Sequence, residues 1–234
     1  ALQVAEQMSD YLMSGAVTNA LNFPSITAEE APRLKPFAML AEKLGAFAGQ
    51  IVDDGLEEVE IEYEGEVAKL NMRPLTATAL AGILRPLLQD VNVVSAPALL
   101  KERGVPLTES TRDASPIYDS LIRIKVKTGG KWRTLAGAVV AGAPKIAEVK
   151  GMQLEAAFHP VMLFVNNSDK PGFIGALGTM LADAGVNIAT FHLGREAAGE
   201  DAIALVGVDQ VIGDDLLVRI KALPQVRYAK VLRF

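Results

Sequence analysis

Apolar positions along the chain fall into three stretches with different periods. Val4, Met8, Tyr11 and Leu12 share one face of a helix that is already in register at the first residues, which reads as part of something longer. Asn19 to Pro24, and then Ser25 to Pro36 with its prolines, predict an extended linker, because the residue before a proline avoids the helical region. Phe37, Leu40, Leu44, Phe47 and Ile51 then step by three and four, an amphipathic helix that ends before Gly55. Val59 to Glu64 alternates apolar and acidic, the pattern of a half-exposed strand.

Leu80, Ile83, Leu84, Leu87 and Leu88 predict a second helix over 78–89, interrupted by Pro86. A short helix over 98–103 is closed by Gly104. Leu121 to Val126 and Arg133 to Val140 flank Gly129-Gly130, the signature of a hairpin, and 145–154 reads as a further strand or strand pair. The middle of the chain is therefore mixed α and β.

A more regular unit begins near His159-Pro160. An apolar strand (Val161 to Val165) leads through a turn at Asp169-Lys170-Pro171-Gly172 into a helix with Phe173, Ile174, Leu177, Met180 and Leu181, stopped near Gly185. Strands over 188–193 and 203–208 follow, then a helix marked by Leu216, Leu217 and Ile220, then a strand over 226–232. The order βαββαβ is that of the split βαβ, ferredoxin-like arrangement. Two helices cover one face of its sheet, and the other face is expected to meet solvent or a partner. The fold class is α+β, with divisions expected at 1–35, 36–158 and 159–234.

Composition narrows the chemistry. The chain has 234 residues, a net charge of -5 and no cysteine, which excludes disulfides, a thiolate nucleophile and Cys-ligated zinc or iron–sulfur clusters. With only two histidines, His159 and His192, no metal site is expected, and both are read as structural or surface side chains. An acidic chain without a basic block is a poor nucleic-acid binder, and the final unit offers Phe191 but no second stacking aromatic. No apolar run reaches the roughly 20 residues of a membrane span, so a cytoplasmic location is expected and no membrane partner. Neither a dinucleotide fingerprint, a phosphate-binding loop, a nucleophile elbow nor a metalloprotease motif is present, so no catalytic site and no cofactor is expected in this stretch.

The informative segment is Asn167-Ser168-Asp169-Lys170-Pro171-Gly172-Phe173-Ile174-Gly175, followed by Ala184-Gly185-Val186-Asn187-Ile188-Ala189. Gly172 permits close backbone approach, and the helix after it points free N–H groups and its positive end at that spot, where a carboxylate fits. Asp169 suits an ammonium group, and Asn187 brings both a donor and an acceptor. Together these describe a receptor for a zwitterionic amino acid. The same residues also make a serviceable turn and a cap, and spacing does not choose between the two.

These segments, with Ala222-Leu223-Pro224-Gln225-Val226, resemble the ACT domain, an amino-acid-sensing module of metabolic enzymes. More narrowly, the whole chain resembles the C-terminal half of the long-form D-3-phosphoglycerate dehydrogenases of L-serine synthesis. Val4 to Asn22 resembles the helix leaving that family's nucleotide-binding domain, Asn92 to Gly104 its intervening, allosteric substrate-binding domain, and Val186 to Arg195 its second ACT strand. The resemblance implies a regulatory and oligomerising region of an NAD-dependent oxidoreductase, binding L-serine or another small amino acid between two ACT domains of a homo-oligomer. It carries effector contacts onto Asn167, Asp169 and Asn187 and matches Gly172 to the helix-opening glycine; at Asn167 the family often has a ring-bearing side chain. It also implies a phosphorylated substrate in the middle domain near Lys145, whose neighbouring basic positions are here Ala157 and Gly207. The alternative readings are a pure assembly module, and an enzyme built on the middle domain like the iron–sulfur subunit of bacterial L-serine dehydratases, which the lack of cysteine opposes.

Overall fold

The computed structural model describes residues 2–17, 20, 24–197 and 199–234, so residues 19 and 21–23 of the expected linker lie outside the described residues. The chain separates into two compact units, Ala1–Lys145 and Ile146–Phe234.

The first unit opens with α1 (Leu2–Ser14), whose apolar side chains Val4, Met8, Tyr11 and Leu12 are all exposed. The expected linker ends sooner than its prolines predict. α2 spans Glu30–Gln50 with Pro32 in its first turn and Pro36 inside it. Thr27 and Glu30 build a reciprocal cap: the Thr27 amide donates to Glu30 Oε2 at 3.0 Å, and the Glu30 amide to Thr27 Oγ1 at 3.2 Å. These bonds, led by the Thr27 amide, hold the Glu30 carboxyl below its ordinary range. The cap sets the first helical turn from Thr27, whose carbonyl accepts from the Ala31 amide at 3.0 Å. Pro32, the next residue, has no N–H to continue the ladder, so the helix tolerates one missing bond near its start.

α2 buries Leu40, Leu44 and Phe47 completely. Its closest partner is α3 (Met72–Leu84), which begins ahead of the predicted helix and ends before Pro86 rather than kinking there. Glycines set the distance between the two. A Cβ at Gly45 would lie 2.2 Å from the Ala79 carbonyl oxygen, one at Gly49 2.1 Å from that of Ile83, and one at Gly82 2.5 Å from that of Glu42. The two backbones are in van der Waals contact.

Between these helices runs β1 (Glu58–Gly65), and after α3 come α4 (Ala96–Glu102), β2 (Leu107–Arg112), β3 (Ser120–Thr128) and β4 (Lys131–Val140). β5 (Ala143–Val149), which contains the division between the units, and β6 (Met152–Ala157) complete a sheet of order β2-β1-β3-β4-β5-β6. The three hairpins β3–β4, β4–β5 and β5–β6 turn on Gly129-Gly130, Ala141-Gly142 and Lys150-Gly151, all with positive φ at both central residues. Such turns match the natural twist of the strands.

The helix-facing side of β1 and β3 holds Val59, Ile61, Tyr63, Ile122, Ile124 and Val126, all buried. The other side pairs opposite charges in register: Lys125 with Glu60 at 2.7 Å, Lys127 with Glu58 at 3.6 Å, and Arg123 with Glu62 and Glu64 at 3.4 and 3.3 Å. The basic residues of β3 are thus neutralised locally and present no basic face.

β2 has no apolar alternation and was not foreseen. It pairs parallel to β1, and its Glu109 accepts a hydrogen bond from the Thr76 hydroxyl of α3. Thr76 in turn accepts from the buried Tyr63 hydroxyl at 2.8 Å. Burial pushes the Tyr63 phenol well above its ordinary range, only partly offset by the Thr76 bond.

The second unit carries a sheet of order β10-β7-β9-β8, built from β7 (Val161–Ser168), β8 (Ile188–Arg195), β9 (Asp201–Val208) and β10 (Val226–Arg233). With α5 (Phe173–Asp183) and α6 (Asp214–Lys221) this is the ferredoxin-like arrangement of an ACT domain. Leu163, Val165, Ala204, Val206 and Ala229 pack under Phe173, Leu177 and Leu181 of α5 and Leu216 and Ile220 of α6.

The opposite sheet face is not left open as expected. Met162, Phe164, Ile203, Leu205 and Leu232 on that face are at most 3% exposed. β6 lies against it, since a Cβ at Gly194 would meet the Gln153 carbonyl at 3.2 Å and the Met152 and Leu154 side chains at 3.5 Å. The alternation Met152, Leu154, Ala156 supplies the buried side of that strand.

Candidate functional site

The turn after β7 and the start of α5 form an open concave feature of the second unit. Gly172 stands at φ 95°, a left-handed conformation that favours glycine, and opens α5 without a side-chain cap. The first amides of α5 therefore have no side-chain acceptor, and the helix presents its positive end there. A cavity of about 400 Å³ is lined by Asp169, Lys170, Pro171, Gly172, Gly175 and Gly199.

Asp169 does not stand alone in this cavity. Its Oδ2 accepts from Arg195 at 3.0 Å and from the Gly199 amide at 3.4 Å, while its backbone amide donates to Glu200 at 2.8 Å. The carboxylate thus ties the β7–α5 turn to the β8–β9 turn, and its Oδ1 is uncommitted among the described residues. Beside it, Arg227 reaches Asp201 and comes within 3.5 Å of Ser168 Oγ.

Asn167 is buried. Alternation along β7 puts it on the same side as Leu163 and Val165, and it is 2% exposed. Its Nδ2 donates to the Ser168 carbonyl at 3.0 Å, and its buried Oδ1 has no partner among the described residues. Asn166, one position earlier, leaves its Nδ2 similarly unsatisfied. An orphaned buried amide group costs about 1–3 kcal/mol, so each is a place where a ligand or water would be stabilised.

Asn187 sits beyond the far end of α5. The eleven residues of that helix, at about 1.5 Å each, separate it from Gly172 by roughly 16 Å. There its Nδ2 donates to Asp209 Oδ2 at 2.6 Å and its backbone amide to Gln210 Oε1 at 2.6 Å. Within one chain, Asp169 and Gly172 are brought together and Asn187 is not.

Matching against family models assigns residues 33–150 to the D-3-phosphoglycerate dehydrogenase intervening domain. The chain belongs to this D-3-phosphoglycerate dehydrogenase family. It is 32% identical over 230 residues to a D-3-phosphoglycerate dehydrogenase of Methanocaldococcus jannaschii, covering 98% of this chain and 44% of that protein. A D-3-phosphoglycerate dehydrogenase of Bacillus subtilis is 29% identical over 99% of this chain and 45% of its own length. One from Synechocystis is 32% identical, with 100% of this chain and 43% of that protein covered. The chain thus spans less than half the length of these curated relatives.

Lys145, expected near a phosphorylated ligand, is half-buried on β5 ahead of the buried Ile146 and Ala147. Its carbonyl would lie 2.6 Å from a Cβ at Gly137, so its backbone rather than its charge is closely packed. His159 contacts the Val161 carbonyl at 3.2 Å through Nδ1, while Nε2 of His192 is buried without a hydrogen-bond partner among the described residues. Among the described residues no group of three His, Asp or Glu side chains is placed to hold a metal ion, and no helix is long and apolar enough to cross a membrane.

Arg195, Gly199, Asp209 and Gln210 are further residues of these two places that no sequence motif marks. Each acts on a residue far away in the chain, and the registers of β7 and β8 against β9 bring them to Asp169 and Asn187. The residues carried no local motif of their own.

Proposed function

We propose that this chain is the regulatory and assembly region of an NAD-dependent D-3-phosphoglycerate dehydrogenase that serves L-serine synthesis. Its effector is L-serine or another small α-amino acid, held between the ACT domains of two copies. One copy supplies Asp169, Gly172 and the amides of α5, with the buried Oδ1 of Asn167 behind them, and the second supplies Asn187. The observation that supports this reading best is the Asp169 carboxylate beside the uncapped start of α5, on the wall of one cavity. A carboxylate and a helix N-terminus together complement the ammonium and carboxylate groups of an amino acid. The separation of Asn187 along α5 favours a site completed by a second chain. Effector binding would shift the arrangement of the copies, with a coupling typically of ~1–3 kcal/mol.

Titration calorimetry with L-serine tests the reading. Each charged hydrogen bond at Asp169 contributes ~1.5–3 kcal/mol, so Asp169→Ala is expected to weaken binding by more than tenfold. Equal affinities for the two proteins would reject the site. A pure assembly module would instead give the same sedimentation profile with and without L-serine, and no heat.

A further inference from the structure

We propose that Asp209 is a positioning residue that fixes Asn187 as a hydrogen-bond acceptor, so that this side chain reads a donor on the effector, its ammonium or hydroxyl group. The proposal rests on the effector reading above and specifies the polarity of one of its contacts.

Asn187 is held on three sides. Its Nδ2 lies 2.6 Å from Asp209 Oδ2, its backbone amide 2.6 Å from Gln210 Oε1, and its carbonyl accepts from the Asp209 amide at 3.2 Å. A carboxylate can only accept, so the amide nitrogen must face Asp209. Turning the amide over would set its Oδ1 against a carboxylate oxygen, two acceptors at hydrogen-bond distance. The usual ambiguity between the two ends of an asparagine amide is therefore resolved by its neighbour. The Oδ1 left over has no protein partner among the described residues, and the residue is exposed.

The Asp209 side chain has Asn187 as its hydrogen-bond partner. Its Oδ1 is 3.9 Å from Nε2 of His159, beyond hydrogen-bond reach. His159 Nδ1 faces the Val161 carbonyl at 3.2 Å, which can only accept. That nitrogen therefore donates to the carbonyl, and the ring makes no hydrogen bond to Asp209.

The same logic holds at Asp169, where Arg195 and Gly199 engage only Oδ2. Both side chains then offer oxygen acceptors. The effector's donors go to Asp169 and Asn187, and its carboxylate is left to the amides of α5. This selects a free α-amino acid whose side chain is small or carries a hydroxyl, and disfavours one whose side chain is anionic.

Nuclear magnetic resonance of the Asn187 side-chain amide in ligand-free protein, paired with L-serine calorimetry, tests the proposal. One Nδ2 proton should exchange slowly, lose that protection in Asp209→Ala, and keep it in Asp209→Asn, whose amide oxygen still accepts. L-serine affinity should fall at least tenfold in Asp209→Ala and largely recover in Asp209→Asn. A second route avoids removing the side chain. Asn187→Asp alone should lose binding, and Asn187→Asp combined with Asp209→Asn should regain it with donor and acceptor exchanged. An unprotected Nδ2 in the starting protein, or equal L-serine affinity with and without Asp209, overturns the proposal. If the Nδ2 signature is present but no small amino acid binds, the effector reading itself fails and this proposal loses its ligand with it.

Discussion

Replacing Gly49 by alanine should destabilise the first unit by about 2 kcal/mol, although alanine is the better helix former. The new Cβ would stand 2.1 Å from the Ile83 carbonyl oxygen and 2.8 Å from the Ile83 carbonyl carbon. Real Cβ contacts do not fall below 3.0 Å, so α2 and α3 must separate by nearly an ångström. The obstacle is backbone, which cannot rotate aside as a side chain would. A gap of that size forfeits a quarter to a half of each dispersion contact across the seam, where Leu80, Ile83 and Leu84 are buried. Overpacking of this kind costs about 1–3 kcal/mol, and a backbone clash belongs at the upper end; helix propensity returns about 1 kcal/mol.

Urea unfolding followed by the fluorescence of Trp132, the single tryptophan and a residue of the first unit, reports this loss directly. With a slope of about 1–3 kcal/mol per molar urea, the midpoint should drop by about 1 M. Gly178 of α5 is the contrast, since a Cβ there meets nothing within 4 Å. Gly178→Ala should raise the stability of the second unit by up to about 1 kcal/mol. A Gly49→Ala protein at least as stable as the original would refute the argument from backbone contact.

The hydrogen-bond chain from the buried Tyr63 through Thr76 to the exposed Glu109 makes two further predictions. Thr76→Val strands the Tyr63 hydroxyl and should cost about 1–3 kcal/mol in the same urea assay. Because the Tyr63 phenol is raised above its ordinary 10.0, its contribution to stability is complete below that pH and is lost as pH rises toward the folded-state value. Ultraviolet difference titration should therefore find Tyr63 ionising together with unfolding, not before it. At the start of α2, Thr27→Ala should speed hydrogen exchange at the Glu30 and Ala31 amides while leaving the α2 interior unchanged. The Glu30 carboxyl is depressed, so the same fraying should appear as pH falls through its titration and be absent above it. Arg195→Gln should loosen the β8–β9 turn, seen as faster exchange of the Gly199 amide.

Legibility of the fold followed burial. The second unit was readable strand by strand because its helices and strands bury regular apolar rows such as Phe173, Leu177 and Leu181. The glycine-marked hairpin at Gly129-Gly130 was readable from backbone requirements alone. β2 was not, because Leu107 to Arg112 contains almost no apolar side chain and is fixed by ladder bonds and by the contact of Glu109 with Thr76. The start of α2 was not legible because prolines at 32 and 36 oppose it locally. The Thr27–Glu30 cap and the buried Leu34 and Leu40 hold it, at the loss of a backbone bond at each proline. The covered sheet face was missed because β6 belongs to the preceding meander, outside the βαββαβ pattern.

At the site, Asp169 and Gly172 were legible as neighbours in sequence, and the structure puts them on one cavity. The holding partners were not legible, since Arg195 and Asp209 reach their targets only through strand register. Asn167 entered only through the family resemblance, and its burial follows from strand alternation along β7, which the polar residues around it do not reveal.

The length of α5 has a consequence for mixtures. If Asp169 and Asn187 serve one site from two chains, a two-fold pair contains two such sites, each taking one half from each member. Chains carrying Asp169→Ala and chains carrying Asn187→Ala would each be blind alone. Mixed and allowed to exchange partners, they would form pairs in which one site has both defects and the other has none. Half the sites of every mixed pair would recover full affinity, and that recovery would fade on dilution, because sensing would have become a property of the pair and not of the polypeptide.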